Sequence, residues 1–278
     1  MLLARLPTPA TPFLLGDVPA AMRVENWQVG ARLMDKWLAA PAYQMPDAVK
    51  RGRVPAPRQA IDTGSVTLAW ALRVPRVAAA HSTLLSTWST GERRARSIEQ
   101  IVAQFRRWIA TGGVDVRRPF RFGDLSRPVP EVDQRCAINR EIVTSNWHGT
   151  VDDFYAAFGN ALVRLAVSGL VTPVDGGWRI VVDQVGTYLR DSYDFNGDQP
   201  LGSWGRSGFS RVAVLAAEIA VDAREAESFW RRGVSYFTVS NGSFRRFRTR
   251  TGRGGDYMIF SDLRRTALAR PISVAVPA

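Results

Sequence analysis

The stretch Trp178 to Trp204, WRIVVDQVGTYLRDSYDFNGDQPLGSW, constrains the fold more than any other part of the chain. Ile180, Val182, Gln184 and Gly186 alternate with Val181, Asp183 and Val185, and the run passes through Tyr188 and Leu189 before it meets acids, an amide and glycines. Alternation at period two reads as a β-strand. A strand that ends in Asp191, Tyr193, Asp194, Asn196 and Asp198 is expected to bring several oxygen ligands to one rim.

Around that strand there is ample material for a core. The chain has 278 residues, 46% of them hydrophobic, with nine Trp, thirteen Phe and six Tyr. Half of the sixteen prolines lie before residue 60, so residues 1 to 60 are expected to form an extended arm with one short helix, Val24 to Leu38. Residues 61 to 278 are expected to form one domain. The single cysteine, Cys136, excludes a disulfide framework and reads as a buried apolar residue. No apolar run approaches the roughly 20 residues that span a bilayer. The proline-rich N-terminus does not read as a secretory signal, so synthesis in the bacterial cytoplasm without a signal peptide is expected.

The net charge of +12 is carried almost wholly by arginine, since lysine occurs only at 36 and 50. A planar guanidinium fork suits phosphate oxygens, and the excess points to an anionic, phosphate-containing target.

From Thr63 onward the pattern alternates between element types. Val66, Leu68, Trp70 and Leu72 read as a strand, as does the stretch around Val77. Ser97 to Ala110 reads as a helix, with Ser97 as cap and Gly112 as stop. Residues 116 to 135 suggest a short strand and a proline-rich loop, and Ile138 to Trp147 a returning strand. Thr150 with Asp153 resembles a capping box, and Phe154, Phe158, Leu162 and Leu165 recur at helical spacing up to Ser168-Gly169. Asp175-Gly176-Gly177 is a turn into the central strand. Ser210 to Arg232 is expected to be helical, 236 to 241 a strand, 243 to 255 a basic turn or short helix, and 256 to 263 a strand. The tail after Arg270 is expected to pair with a sheet edge. Helices mixed with antiparallel-looking strands give an α+β class, an antiparallel or mixed sheet with several packed helices.

Several motifs bear on chemistry. Asp194, Asn196 and Asp198 have the opening spacing of a calcium loop, but Gly205 occupies its twelfth place, which excludes an EF-hand. Asp191 and Asp194 suffice for a looser Mg²⁺ site, which needs one or two carboxylates plus substrate phosphate. The plainer alternative is a turn rich in Asp, Asn and Gly that bonds its own backbone. Neither zinc spacing is present, and the histidines are only His81 and His148. His148, in a loop, is the candidate general base. Arg245, Arg246, Arg248, Arg250 and Arg253 interleave with Phe244 and Phe247, which reads either as a nucleic-acid face or as a helix with Phe inward and Arg solvated. The glycines at 252 to 255 read as a hairpin turn.

Residues 187 to 204, TYLRDSYDFNGDQPLGSW, and 240 to 263, SNGSFRRFRTRTGRGGDYMIFSDL, resemble an uncharacterised bacterial domain family associated with type VI secretion genes. The core Asp191-Ser192-Tyr193-Asp194-Phe195-Asn196 also resembles the active-site signature of the colicin M toxins, which cleave the lipid-linked peptidoglycan precursor with Mg²⁺. That pattern continues to a His-Arg pair, where this chain has Pro200 and Leu201. The resemblance implies an antibacterial effector delivered into a target cell, with a secretion-apparatus carrier and an immunity protein as partners. Asp191 and Asp194 would hold Mg²⁺, Tyr193 would orient the phosphate, and His148 would act as base. Arg190, Asn196, Arg206 and Arg245 would bind substrate. A nuclease toxin and a non-enzymatic adaptor or structural protein are the alternatives.

Overall fold

The computed structural model describes residues 13–112, 114–145, 151–210, 229–231 and 234–278. In chain order the first half contains α1 (Val18–Val24), α2 (Gln28–Ala39), α3 (Asp47–Lys50), β1 (Ile61–Asp62), α4 (Leu68–Ala71), α5 (Pro75–Thr87), α6 (Gly91–Ala110), β2 (Phe120–Phe122), α7 (Val129–Arg135) and β3 (Ala137–Thr144). The second half contains α8 (Asp153–Ala157), β4 (Asn160–Val174), β5 (Gly177–Tyr193), β6 (Pro200–Gly205), β7 (Gly208–Ser210), β8 (Phe229–Arg231), β9 (Val234–Ser240), α9 (Asn241–Thr251), β10 (Tyr257–Phe260) and β11 (Arg264–Pro277). The class is α+β. The chain divides into two compact units, a larger one of Gln44–Asp194 with Gly255–Ala278 and a smaller one of Met1–Tyr43 with Phe195–Gly254.

The larger unit is organised on the hairpin of β4 and β5, fifteen and seventeen residues long. Gly176, with φ 76°, supplies the left-handed turn between them. β3 and β2 line the far side of β4, and β10 and β11 pair along the far side of β5. β1 adds to β10 in parallel, so the seven-stranded sheet is mixed. The tail pairs with β5, as expected.

Both faces of the hairpin are covered. On one face, His81 of α5 contacts Thr187, and Ser97 of α6 accepts from Asn139 of β3. On the other face, Asp133 of α7 meets Arg164 and Tyr188. A strand buried on both sides loses its alternation and becomes a near-continuous apolar run. That is why 160–174 looks helical in sequence and is strand: Leu165, Ala166 and Val167 are all inaccessible to solvent. The helix expected from Thr150 shrinks to α8, whose cap is Asp152, accepting from Tyr155 N at 2.8 Å. Thr150 itself lies outside the described residues, as does most of the helix expected over 210 to 232.

Other local expectations are corrected by caps and prolines. The strand expected over 66 to 72 is the single turn α4, capped by Thr67 Oγ1, which accepts from Trp70 N at 3.1 Å. The stretch around Val77 is α5, with Pro75 at its first position. α6 begins six residues before Ser97, which is buried inside it and donates to the carbonyls of Trp88 and Arg93. The loop expected before Arg135 contains α7, started by Pro128 and Pro130.

In the smaller unit, the proline-rich segment forms α1 and α2, separated at Asn26 with φ 62°. β7, β6, β9 and β8 form an antiparallel sheet. Aromatic contacts dominate the packing. Trp27 meets Trp204 edge-on at 5.8 Å, and Phe195 stacks on Phe244 at 3.8 Å with Trp37 against both. Among the described residues, no helix is long and apolar enough to cross a membrane.

Candidate functional site

The strand exit divides its residues between two faces, because successive side chains of a strand point in opposite directions. Asp191 and Tyr193 share the face of Thr187 and Leu189. Their register partners on β10 are Ile259 and Tyr257. Tyr193 is buried and stacks on Tyr257 with ring centroids 5.3 Å apart. Burial pushes the Tyr257 phenol well above its ordinary pKa, with Tyr193 and Asp62 adding to the effect.

The Asp191 carboxyl is pushed well above the carboxylate range, first by desolvation. The Ser192 backbone and Arg190 oppose that shift and Asp194 adds to it. Residue 191 keeps part of its surface accessible.

Asp194 points elsewhere. Its Oδ1 lies 3.0 Å from Lys50 Nζ, both side chains being more than four-fifths buried at 14% and 17% exposure. The carbonyl of Lys50 accepts from Arg190 Nη2 at 2.6 Å, which places this pair on the Arg190 face of the strand. The expected convergence of Asp191, Tyr193 and Asp194 on one open rim is therefore not formed. One acid is ion-paired, the other lies on the opposite face of the strand, and the phenol ring is packed against Tyr257.

Beneath Arg190 lies a cluster that the sequence reading missed. Asp133 Oδ1 accepts from Tyr188 Oη at 2.6 Å and from Arg164 Nε at 3.1 Å. Asp133 Oδ2 lies 3.1 Å from Arg190 Nε. That last contact is an ion pair by distance, but the Nε–H is not aligned for a hydrogen bond. Its attraction is electrostatic and less directional than the other two. Arg164 and Tyr188 are register partners on β4 and β5, so the sheet itself presents two cations and a phenol to one acid. A hollow of about 20 Å³ beside Arg190 and Asp133 is the size of one water. A signal was present in the sequence: Arg164 and Arg190 interrupt apolar strands, and a charge in such a run needs a partner.

Asn196, Arg206 and Arg245 belong to the smaller unit. Asn196 O accepts from Asn241 Nδ2. Arg245 donates to the carbonyls of Phe195 and Gly197 and to Asp198 Oδ1, so it clasps the turn that follows the strand. Arg206 is exposed in the turn between β6 and β7. α9 resolves the two readings of the arginine run. Phe244 and Phe247 face inward onto Trp37, and Arg248 lies over the same indole at 5.2 Å. Gly242, Arg245, Arg246, Thr249 and Arg250 form the other face, which lines a shallow hollow of about 540 Å³. The glycines after it do not form a hairpin, because Gly252, with φ 66°, caps α9.

His148 lies outside the described residues. Among the described residues no three His, Cys, Asp or Glu side chains gather as metal ligands. Asp194, paired with an ammonium group, and Asp191, on the other face of the strand, do not fit a shared Mg²⁺ site as they stand.

The chain belongs to DUF6402, a family of unknown function whose model matches residues 13–276, both units and not the last third alone. No curated protein and no solved structure is significantly similar to it.

Proposed function

For a member of this family, we propose a binding role: the protein holds a phosphate-bearing polyanion through the outward face of α9. The observation that carries this reading is the arrangement of Arg245, Arg246 and Arg250 around one open hollow with Gly242 and Thr249. The net charge of +12 favours the same class of partner. Both phenylalanines of the helix are packed inward, so this face has no stacking platform for bases. The contact is with phosphates and is indifferent to sequence. Arg246 and Arg250 are the two arginines of this face that are exposed, which makes them the principal contacts.

The test is the salt dependence of binding to single-stranded RNA and duplex DNA. Replacing Arg246 and Arg250 with alanine should lower the slope of log K against log salt by about 2, one for each lost phosphate contact. The control removes equal charge at Arg117 and Arg118 in the larger unit. Equal losses from the two double variants would overturn the assignment to α9.

A second reading is favoured by Asp191, since a half-buried carboxyl at a strand end with a pKa raised by desolvation is the form a general acid takes. In that reading the chain is a secreted antibacterial effector with an immunity partner, a hydrolase of lipid-linked precursor or of nucleic acid. Expression of the wild type and of Asp191→Asn in periplasm and in cytoplasm separates the cases. Toxicity confined to the periplasm supports an envelope substrate, and cytoplasmic toxicity a nuclease. A wild type harmless in both compartments, or a variant as toxic as the wild type, removes the reading.

A further inference from the structure

The larger unit contains a second cavity, of about 150 Å³, on the β2 side of the sheet. We propose that it is a binding site for a small aromatic anion, a single planar ring bearing one carboxylate. The size sets the ring: a cavity of about 150 Å³ with apolar walls is known to take benzene. The walls are Trp108 of α6, Phe122 of β2, Val132 of α7 and Cys136. Trp108 is braced edge-on against Phe122 at 5.9 Å and tilted on Phe120 at 5.3 Å, so it offers a fixed aromatic wall.

The charges at the mouth choose the substituent. Arg121 is committed to Asp183 and to Ser168 Oγ. Asp124 accepts from the Ser126 backbone and hydroxyl and pairs with Arg127. Glu131 and Arg135 also line the mouth, four residues apart on α7, and neither has an ion pair among the described residues. Arg135 stands next to Cys136, whose thiol is pushed up to about 12 by burial and then by Asp124 and Asp133, with the Arg135 charge opposing them. The guanidinium is exposed and lines the mouth above the buried thiol. A carboxylate on the ring would give it the forked partner that Glu131 does not supply.

The experiment is calorimetric titration of the full chain with benzoate, benzyl alcohol and cyclohexanecarboxylate. Benzoate should bind, with benzyl alcohol and the non-planar acid at least about tenfold weaker. Arg135→Gln, an exposed change, should weaken benzoate about tenfold or more. Cys136→Leu fills the cavity from inside and should abolish binding while the Arg135 charge remains. No heat with benzoate, equal affinity for the alcohol, or unchanged binding in both variants would overturn the proposal.

Discussion

Replacing Asp133 with alanine should destabilise the larger unit by about 3 to 5 kcal/mol, the loss expected when one member of a buried ionic cluster is removed. The Asp133 side chain is 8% exposed, Arg164 17% and Arg190 10%. At a separation of 3.1 Å and an effective dielectric of about 20, each Arg–Asp pair attracts by about 5 kcal/mol before desolvation. Alanine leaves Arg164 and the Tyr188 hydroxyl without this acceptor and Arg190 without its counter-charge. Solvent entering the adjacent hollow returns part of the loss, which places the net below the sum of the two pairs. With a urea slope of about 2 kcal/mol/M, the midpoint should fall by about 1.5 to 2.5 M. Asp133→Asn keeps an oxygen for Tyr188 and should fall less. A midpoint within about 0.3 M of the wild type, or an Asn variant as unstable as the Ala variant, would refute the account. The phenol supplies a second signature. Burial, and then Asp133, push the Tyr188 pKa well up. Its contribution to stability is full below the unfolded tyrosine pKa of about 10 and is lost as the pH rises beyond it.

Asp191→Asn should raise the urea midpoint at pH 7, because a carboxyl with a raised pKa destabilises the fold when ionised. The gain should vanish as the pH falls toward the ordinary carboxylate range, and a variant less stable at pH 7 would show that the ionised form is needed. The His81 pKa is lowered by burial and then by Arg264. Stability that depends on neutral His81 is present above the unfolded histidine pKa of about 6.5 and is lost as the pH falls below it, so His81→Gln should flatten the midpoint between pH 7 and pH 5; an unchanged profile would count against this. Gly254 holds φ 96° against the Trp37 indole. Gly254→Ala should cost about 2 kcal/mol or more, read as a lower melting temperature, and an unchanged melt would contradict the packing.

The legible parts of the fold were those whose pattern is local. The first half of Gly177–Tyr193 alternates, and Ser97 to Ala110 repeats at helical spacing, so the strand and most of that helix were readable, though not the helix's start at Gly91. Asn160–Val174 was not, because burial on both faces makes a strand as uniformly apolar as a core helix, and the spacing of Phe154, Phe158, Leu162 and Leu165 then misleads. Val66 to Leu72 alternates by accident, and the Thr67 cap with Pro75 downstream makes it helical.

The candidate site follows the same division. Residue identity alone determined that acids, a phenol and an arginine stand at the end of a central strand, that arginine dominates the charge, and that Phe244 and Phe247 interleave with it. Only the tertiary structure decided what those groups face. Lys50 reaches Asp194 from 144 residues away in the chain, and Asp133 reaches Arg190 from 57 away. Ionic partnership depends on distance in space, and a linear pattern carries no record of which remote residue the folded sheet brings within about 3 Å of a carboxylate.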